Sequence, residues 1–218
     1  MDMTYTVYGA AGSGSVPVEA ALTLIGAPYR VVEAVTWEGD AERDKVAAVN
    51  PMRQIPALVT PAGETITESA AILIWLAEQH PEAALGPEPC DPGRGQFLRW
   101  MCFVPAAIYS MYWVRDEPAR LAGDDPAARA LIKTRTAERI ADCWAKMESQ
   151  IVPDGFLLGP EPTVLDLYVA VASRWTPHRK RFHEVAPRMG AVMRRVDALP
   201  ELEAFWADRF PLKGRYGS

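Results

Sequence analysis

A proline-broken stretch, HPEAALGPEPCDPG from His80 to Gly93, divides the chain into two parts with different rhythms. No other feature limits the fold as strongly. Its four prolines fix φ and remove backbone donors, so residues 81–93 read as an inter-domain linker. Before it, strand-like and helix-like runs alternate. Thr4–Tyr8 is β-rich, Gly9–Ser15 (GAAGSGS) is a turn, and Val18, Ala21, Leu22 and Ile25 recur at helical spacing until Gly26 stops them. Pro17 suits the first turn of that helix.

Tyr29–Val35 is a second strand, and Asp40–Val49 is a short polar helix or an irregular segment. Ala57–Thr60 and Thr65–Thr67 flank Pro61-Ala62-Gly63-Glu64, a hairpin signature. Ser69 is placed to cap the apolar helix AAILIWLAEQ. The order β-α-β-α-β-β-α predicts a small mixed sheet over residues 1–80, opened by a right-handed parallel unit and covered by helices. Beyond the linker only helical patterns occur, which predicts an all-helical domain over 94–218. Arg94–Arg115 reads as one long helix bent at Pro105. Asp125-Pro126 opens a second helix to Gln150, and Thr163-Val164-Leu165-Asp166 is a capping box for a third through Ser173. Pro187–Asp197 and Pro200–Arg209 supply two more.

Composition removes several classes of function. Twenty-three Lys and Arg against 28 Asp and Glu leave a net charge of -5, the wrong balance for neutralising phosphates, so no nucleic-acid partner is expected. The longest apolar stretch, Met101–Met111, is too short to span a bilayer, so no membrane partner is expected either. The opening MDMTYTVYG has no basic run ahead of an apolar core, which predicts a cytoplasmic setting. Cys90, Cys102 and Cys143 are far apart, and His80, His178 and His183 are scattered, so neither disulfides nor a metal site is expected. The short basic run Arg174–Arg181 (RWTPHRKR) reads as solvated surface.

Three places could carry chemistry. Ile55 precedes Pro56 and is therefore held extended, with its N–H and C=O open to an added strand, or else it simply initiates a strand. Glu68 and Ser69 join a strand end to a helix start. Together they suit a free amino-acid head, with the ammonium on Glu68 and the carboxylate on the Ser69 amide and hydroxyl. Ser13 and Ser15 lie at the positive end of the first helix, where a hydroxyl either stabilises an anion such as a thiolate or only caps the helix.

Taken in order, the S-G-S loop, Asn50-Pro51 followed by Gln54-Ile55-Pro56-Ala57-Leu58, Glu68-Ser69, and Gly159 with Thr163-x-x-Asp166 resemble the glutathione transferase superfamily along nearly the whole chain. The resemblance implies a thioredoxin-like N-terminal domain and an all-helical C-terminal domain. It also implies glutathione as co-substrate, a small apolar electrophile as partner and a homodimer. Pro56 resembles the family's cis-proline, Ile55 the holder of the cysteinyl backbone, and Glu68 and Ser69 the holders of the γ-glutamyl head. Gln54 matches a position that helps hold the glycyl end, with Trp37 or Arg53 closing it. Thr163 and Asp166 match a folding cap. Cysteine-type members carry their activating residue where this chain has Gly14, and Tyr5 and Tyr8 fall within the first strand, which leaves Ser13, then Ser15, or backbone N–H groups to activate the thiol. Phe103, Tyr109, Tyr112 and Trp113 would supply the wall of the electrophile pocket. Conjugation is the leading activity. Isomerisation, peroxide reduction and reductive ether or halide cleavage at the same site are alternatives, as is a non-catalytic glutathione-binding module. A thioredoxin-like oxidoreductase is disfavoured because the first domain has no C-x-x-C.

Overall fold

The fold is described by a computed structural model covering residues 3–176 and 179–211. Four strands form one sheet in the order β2-β1-β3-β4, with β1 spanning Tyr5–Gly9, β2 Tyr29–Glu33, β3 Ala57–Val59 and β4 Thr65–Thr67. β1 and β2 are parallel, and the other two pairings are antiparallel. The crossover between β1 and β2 is α1 (Val16–Ile25). Gly26, at φ 73, ends it in the left-handed region that a side chain disfavours, and its N–H closes on the Thr23 carbonyl. α2 (Asp40–Ala47) is helical, and α3 (Ser69–Gln79) follows β4 directly. Val7 and Leu58 from the sheet, Leu22 from α1 and Leu73 and Leu76 from α3 are fully buried together, which fixes the layers.

A single 3₁₀ turn, Pro81–Ala83, lies in the linker, and Leu85 anchors it: its side chain is buried and its carbonyl accepts the Val164 N–H at 2.8 Å. The helical part comprises α4 (Arg94–Phe103), α5 (Ser110–Asp116), α6 (Ala119–Ala122), α7 (Pro126–Gln150), α8 (Val164–Arg174), α9 (Lys180–Val185), α10 (Pro187–Asp197) and α11 (Glu203–Arg209). The architecture is thus a thioredoxin-like mixed sheet followed by an all-α bundle. Every residue of α8 is buried, consistent with a sequence apolar on all sides, and α8 packs on α1 and α3 as the joint between the two parts.

The long helix expected over Arg94–Arg115 runs without a break, but not as an α-helix throughout. A π-helical segment, Val104–Tyr109, separates α4 from α5. Pro105 has no N–H to give the ladder, and the wider turn accommodates its ring without ending the helix. The loosened carbonyls find other donors: Ser110 Oγ donates to Ala106 O at 2.7 Å, and the Cys143 thiol donates to Ala107 O at 3.5 Å.

Among the described residues, the basic run is a solvated face only at Lys180 and Arg181. Arg174 and Arg179 are 3% and 2% exposed, and both donate to Asp197, which draws α8 and α10 together. An isolated charge could not be buried there, so each depends on that shared carboxylate. His178 lies outside the described residues.

Candidate functional site

Strand register assembles the site. Tyr8 is paired with Ala57, and Ala57 with Thr67. The next residues are therefore neighbours at one end of the sheet: the Gly9–Ser15 loop leaving β1, Ile55-Pro56 entering β3 and Glu68 leaving β4. Segments between about twelve and about sixty residues apart converge because antiparallel pairing alternates chain direction.

The Ile55–Pro56 peptide bond is cis. Neither the N–H nor the C=O of Ile55 is bonded to any described residue, so a short edge faces outward between the loop and Glu68. Glu68 is exposed, makes no ion pair with any described residue, and sits at φ 66. A non-glycine residue in the left-handed region costs about 1 kcal/mol or more, a strain found where a side chain is held in position for use. Glu68 is also the residue that caps α3. Ser69 is the first helical residue, and its hydroxyl makes no cap; it is buried and bonded to the Tyr168 hydroxyl at 2.9 Å, across to α8. What Ser69 offers a ligand is its N–H at the helix start.

The loop is braced from within and from the helical part. Ser15 is fully buried, and its hydroxyl donates to Glu19 Oε1 at 2.6 Å. Glu19 is itself fully buried and takes Arg209 Nε at 2.6 Å on Oε2 and Nη2 at 3.2 Å on Oε1. Burial raises the Glu19 carboxyl above its ordinary value, opposed by the hydrogen bonds from Arg209 and Ser15. Ser13 Oγ accepts the Ser15 N–H at 3.1 Å and the Ala10 N–H at 3.3 Å, and meets Ser15 Oγ at 3.0 Å. Both hydroxyls thus have partners inside the loop, on each other and on Glu19, and both serines brace it. From the helical part, Trp175 Nε1 donates to Gly12 O at 2.8 Å and the Gly12 N–H donates to Arg209 O at 2.9 Å. Neither contact is visible in sequence.

The other expected site residues divide. Gln54 is exposed beside Ile55, its carbonyl tied back to Asn50 Nδ2 at 2.9 Å. The Arg53 guanidinium donates to the exposed Asp44 at 2.6 Å and Asp40 at 3.4 Å. Trp37 is 55% exposed in the turn after β2. Of the aromatic wall, Tyr109 alone reaches the loop. Phe103 packs edge-on to Trp100. Tyr112 is buried with its hydroxyl on Thr176 at 2.8 Å, so it belongs to the core and not to a pocket surface. Trp113 is exposed under the Arg120 guanidinium, 4.5 Å from its ring. No group of three or more His, Cys, Asp or Glu among the described residues could hold a metal ion.

A thioredoxin-like sheet with its strand ends turned toward a helical bundle is the arrangement of cytosolic glutathione transferases. Residues 12–79 match the family model for the glutathione S-transferase N-terminal domain. The chain is 29% identical over 198 residues, 90% of its length and 94% of the relative's, to the uncharacterized GST-like protein YncG of Escherichia coli. Over 71 residues, a third of each chain, it is 38% identical to maleylpyruvate isomerase from Ralstonia sp. Among solved structures, a glutathione transferase homologue from Sulfitobacter with bound glutathione superposes with a TM-score of 0.83 at 23% identity, covering 94% of this chain and 98% of that one. Residues 12–79 are thus similar to a glutathione S-transferase N-terminal domain, and the chain as a whole has the fold of these enzymes.

Proposed function

We propose that the protein binds glutathione at the sheet end and presents its thiolate to a small apolar electrophile. The observation that carries this reading is the unbonded backbone edge of Ile55, set between the helix-capped loop and the unpaired, strained Glu68. A cysteinyl backbone pairs with Ile55 as an added strand. The γ-glutamyl ammonium goes to Glu68, and its carboxylate to the N–H groups that open α3. Gln54 serves the glycyl end, with Trp37 or Arg53 to close it. This threading places the sulfur over the Gly9–Ser15 loop, at the start of α1.

Chemistry then needs little else. The thiol loses its proton to solvent, the sulfur pair forms a C–S bond to the electrophilic carbon, and the displaced pair leaves with the leaving group or takes up a proton. Donors aimed at sulfur favour the thiolate, and each unit of lowered thiol pKa is worth about 1.4 kcal/mol. Holding both reactants supplies the rest through proximity. The match to maleylpyruvate isomerase supports a second reading, in which the same thiolate adds to a substrate and is expelled after isomerisation. Both readings involve a cytoplasmic homodimer.

Glu68→Ala is expected to weaken glutathione binding by a factor of ten or more, on the order of a lost charged hydrogen bond (about 1.5–3 kcal/mol), with the melting temperature nearly unchanged. Titration calorimetry on the two proteins checks this, and equal affinities would remove Glu68 from the site. Following thiolate absorbance of bound glutathione against pH separates the activities. A midpoint well below that of free glutathione supports a transferase or isomerase, and an unshifted one supports a non-catalytic binding module.

A further inference from the structure

We propose that Tyr109, reaching over from the helical part, supplies the side-chain hydrogen bond to the thiolate, taking the place of a side chain that the loop lacks at Gly14. This inference rests on the glutathione reading above. A Cβ built on Gly14 would lie 2.5 Å from the Tyr109 hydroxyl oxygen and 3.1 Å from Cε2 and Cζ of its ring. The hydroxyl therefore fills the volume where any side chain at position 14 would begin. With a glycine there, the loop cedes that volume to a residue ninety-five positions away.

The hydroxyls of Ser13 and Ser15 already have partners within the loop, on each other and on Glu19. The Gly14 N–H is bonded to no described residue, and neither is the Tyr109 hydroxyl. Two unspent donors thus stand next to each other at the start of α1. The tyrosine is also held in place. Its ring meets Trp175 edge-on at a centroid distance of 4.6 Å, and Trp175 is fastened to Gly12 O in the same loop. Tyr109 ends the π-helical segment, so the widened turn around Pro105 sets the direction in which it leaves the helix. Burial, with the Glu68 and Asp116 carboxylates adding to it, pushes the phenol up to about 12. At neutral pH it keeps its proton and acts as a donor to sulfur, not as a base.

The test compares the wild-type chain with Tyr109→Phe and Gly14→Ala. Calorimetry reports glutathione affinity, and thiolate absorbance against pH reports the thiol midpoint in the bound complex. Tyr109→Phe should leave affinity little changed and raise the midpoint by about one unit, about tenfold less thiolate at pH values below both midpoints. Gly14→Ala should raise it too, because its methyl displaces the hydroxyl, and should add little once Tyr109 is already Phe. A midpoint unmoved in Tyr109→Phe with binding retained overturns the proposal and leaves the glutathione reading intact. Should that variant not fold, an unmoved midpoint in Gly14→Ala overturns it equally. A wild-type chain that binds no glutathione overturns the glutathione reading and the tyrosine's role together.

Discussion

Replacing Asp166 with alanine is expected to destabilise the protein by about 4 kcal/mol, lowering the urea midpoint severely while the protein that remains folded still binds ligand. Asp166 is fully buried at the start of α8. Its Oδ1 accepts the Leu157 N–H at 2.9 Å, and its Oδ2 accepts both the Thr163 N–H and the Thr163 hydroxyl, each at 2.9 Å. Alanine leaves these donors without an acceptor, and each unpaired buried donor costs about 1–3 kcal/mol. The consequence extends beyond one helix end, since α8 is the buried joint on which α1 and α3 rest. Thr163→Ala removes a single donor and should cost only about 1 kcal/mol. Similar losses for the two variants would show that Asp166 is not the hub of this cap.

The second large effect belongs to Arg209. Arg209→Ala strips the partner from Glu19, whose carboxylate is wholly enclosed beneath the loop, and breaking a buried pair from one side costs about 3–5 kcal/mol. The loss should depend on pH, and its sign follows from Glu19. Its folded-state pKa is already raised above the ordinary value of 4.5, and losing the arginine raises it further. A carboxyl raised in this way contributes stability that is present below the unfolded value and lost as pH rises through the folded value. The deficit of Arg209→Ala should therefore be full near neutrality and shrink as pH falls toward 4.5. Urea midpoints measured at several pH values check this, and a deficit independent of pH would mean that Glu19 does not carry its charge inside. Adding Glu19→Gln should recover much of the loss, because the uncompensated charge is then gone.

These two sites show what can and cannot be read along the chain. The Asp166 cap is legible in sequence because a capping box is local: Thr163 and Asp166 are three residues apart, and their chemistry depends on little else. The same is true of the hairpin around Pro61 and Gly63, and of the pairing of Glu68 with the start of a helix. Each follows from backbone geometry and periodicity over a few residues, which suffices for the mixed sheet, the helical bundle and the three segments that form the site.

Side-chain commitments were not legible. The Ser69 hydroxyl was expected to cap and instead crosses to Tyr168, ninety-nine residues on. Arg53, one of two candidates for closing the glycyl end, meets Asp44 and Asp40, which its sequence neighbourhood did not reveal. Arg174 and Arg179 resembled a surface patch and are buried on Asp197. Ser13 and Ser15 offered two hydroxyls, and only the fold shows them meeting each other and Glu19. A hydroxyl or a guanidinium takes whichever partner the packing brings to it, and sequence spacing carries no record of that partner. The glycine at position 14 is the clearest instance. Along the chain it is a missing side chain; in the folded protein it is the gap that Tyr109 fills, because a π-helical turn in one part and a strand-end loop in the other are pressed together by the core between them.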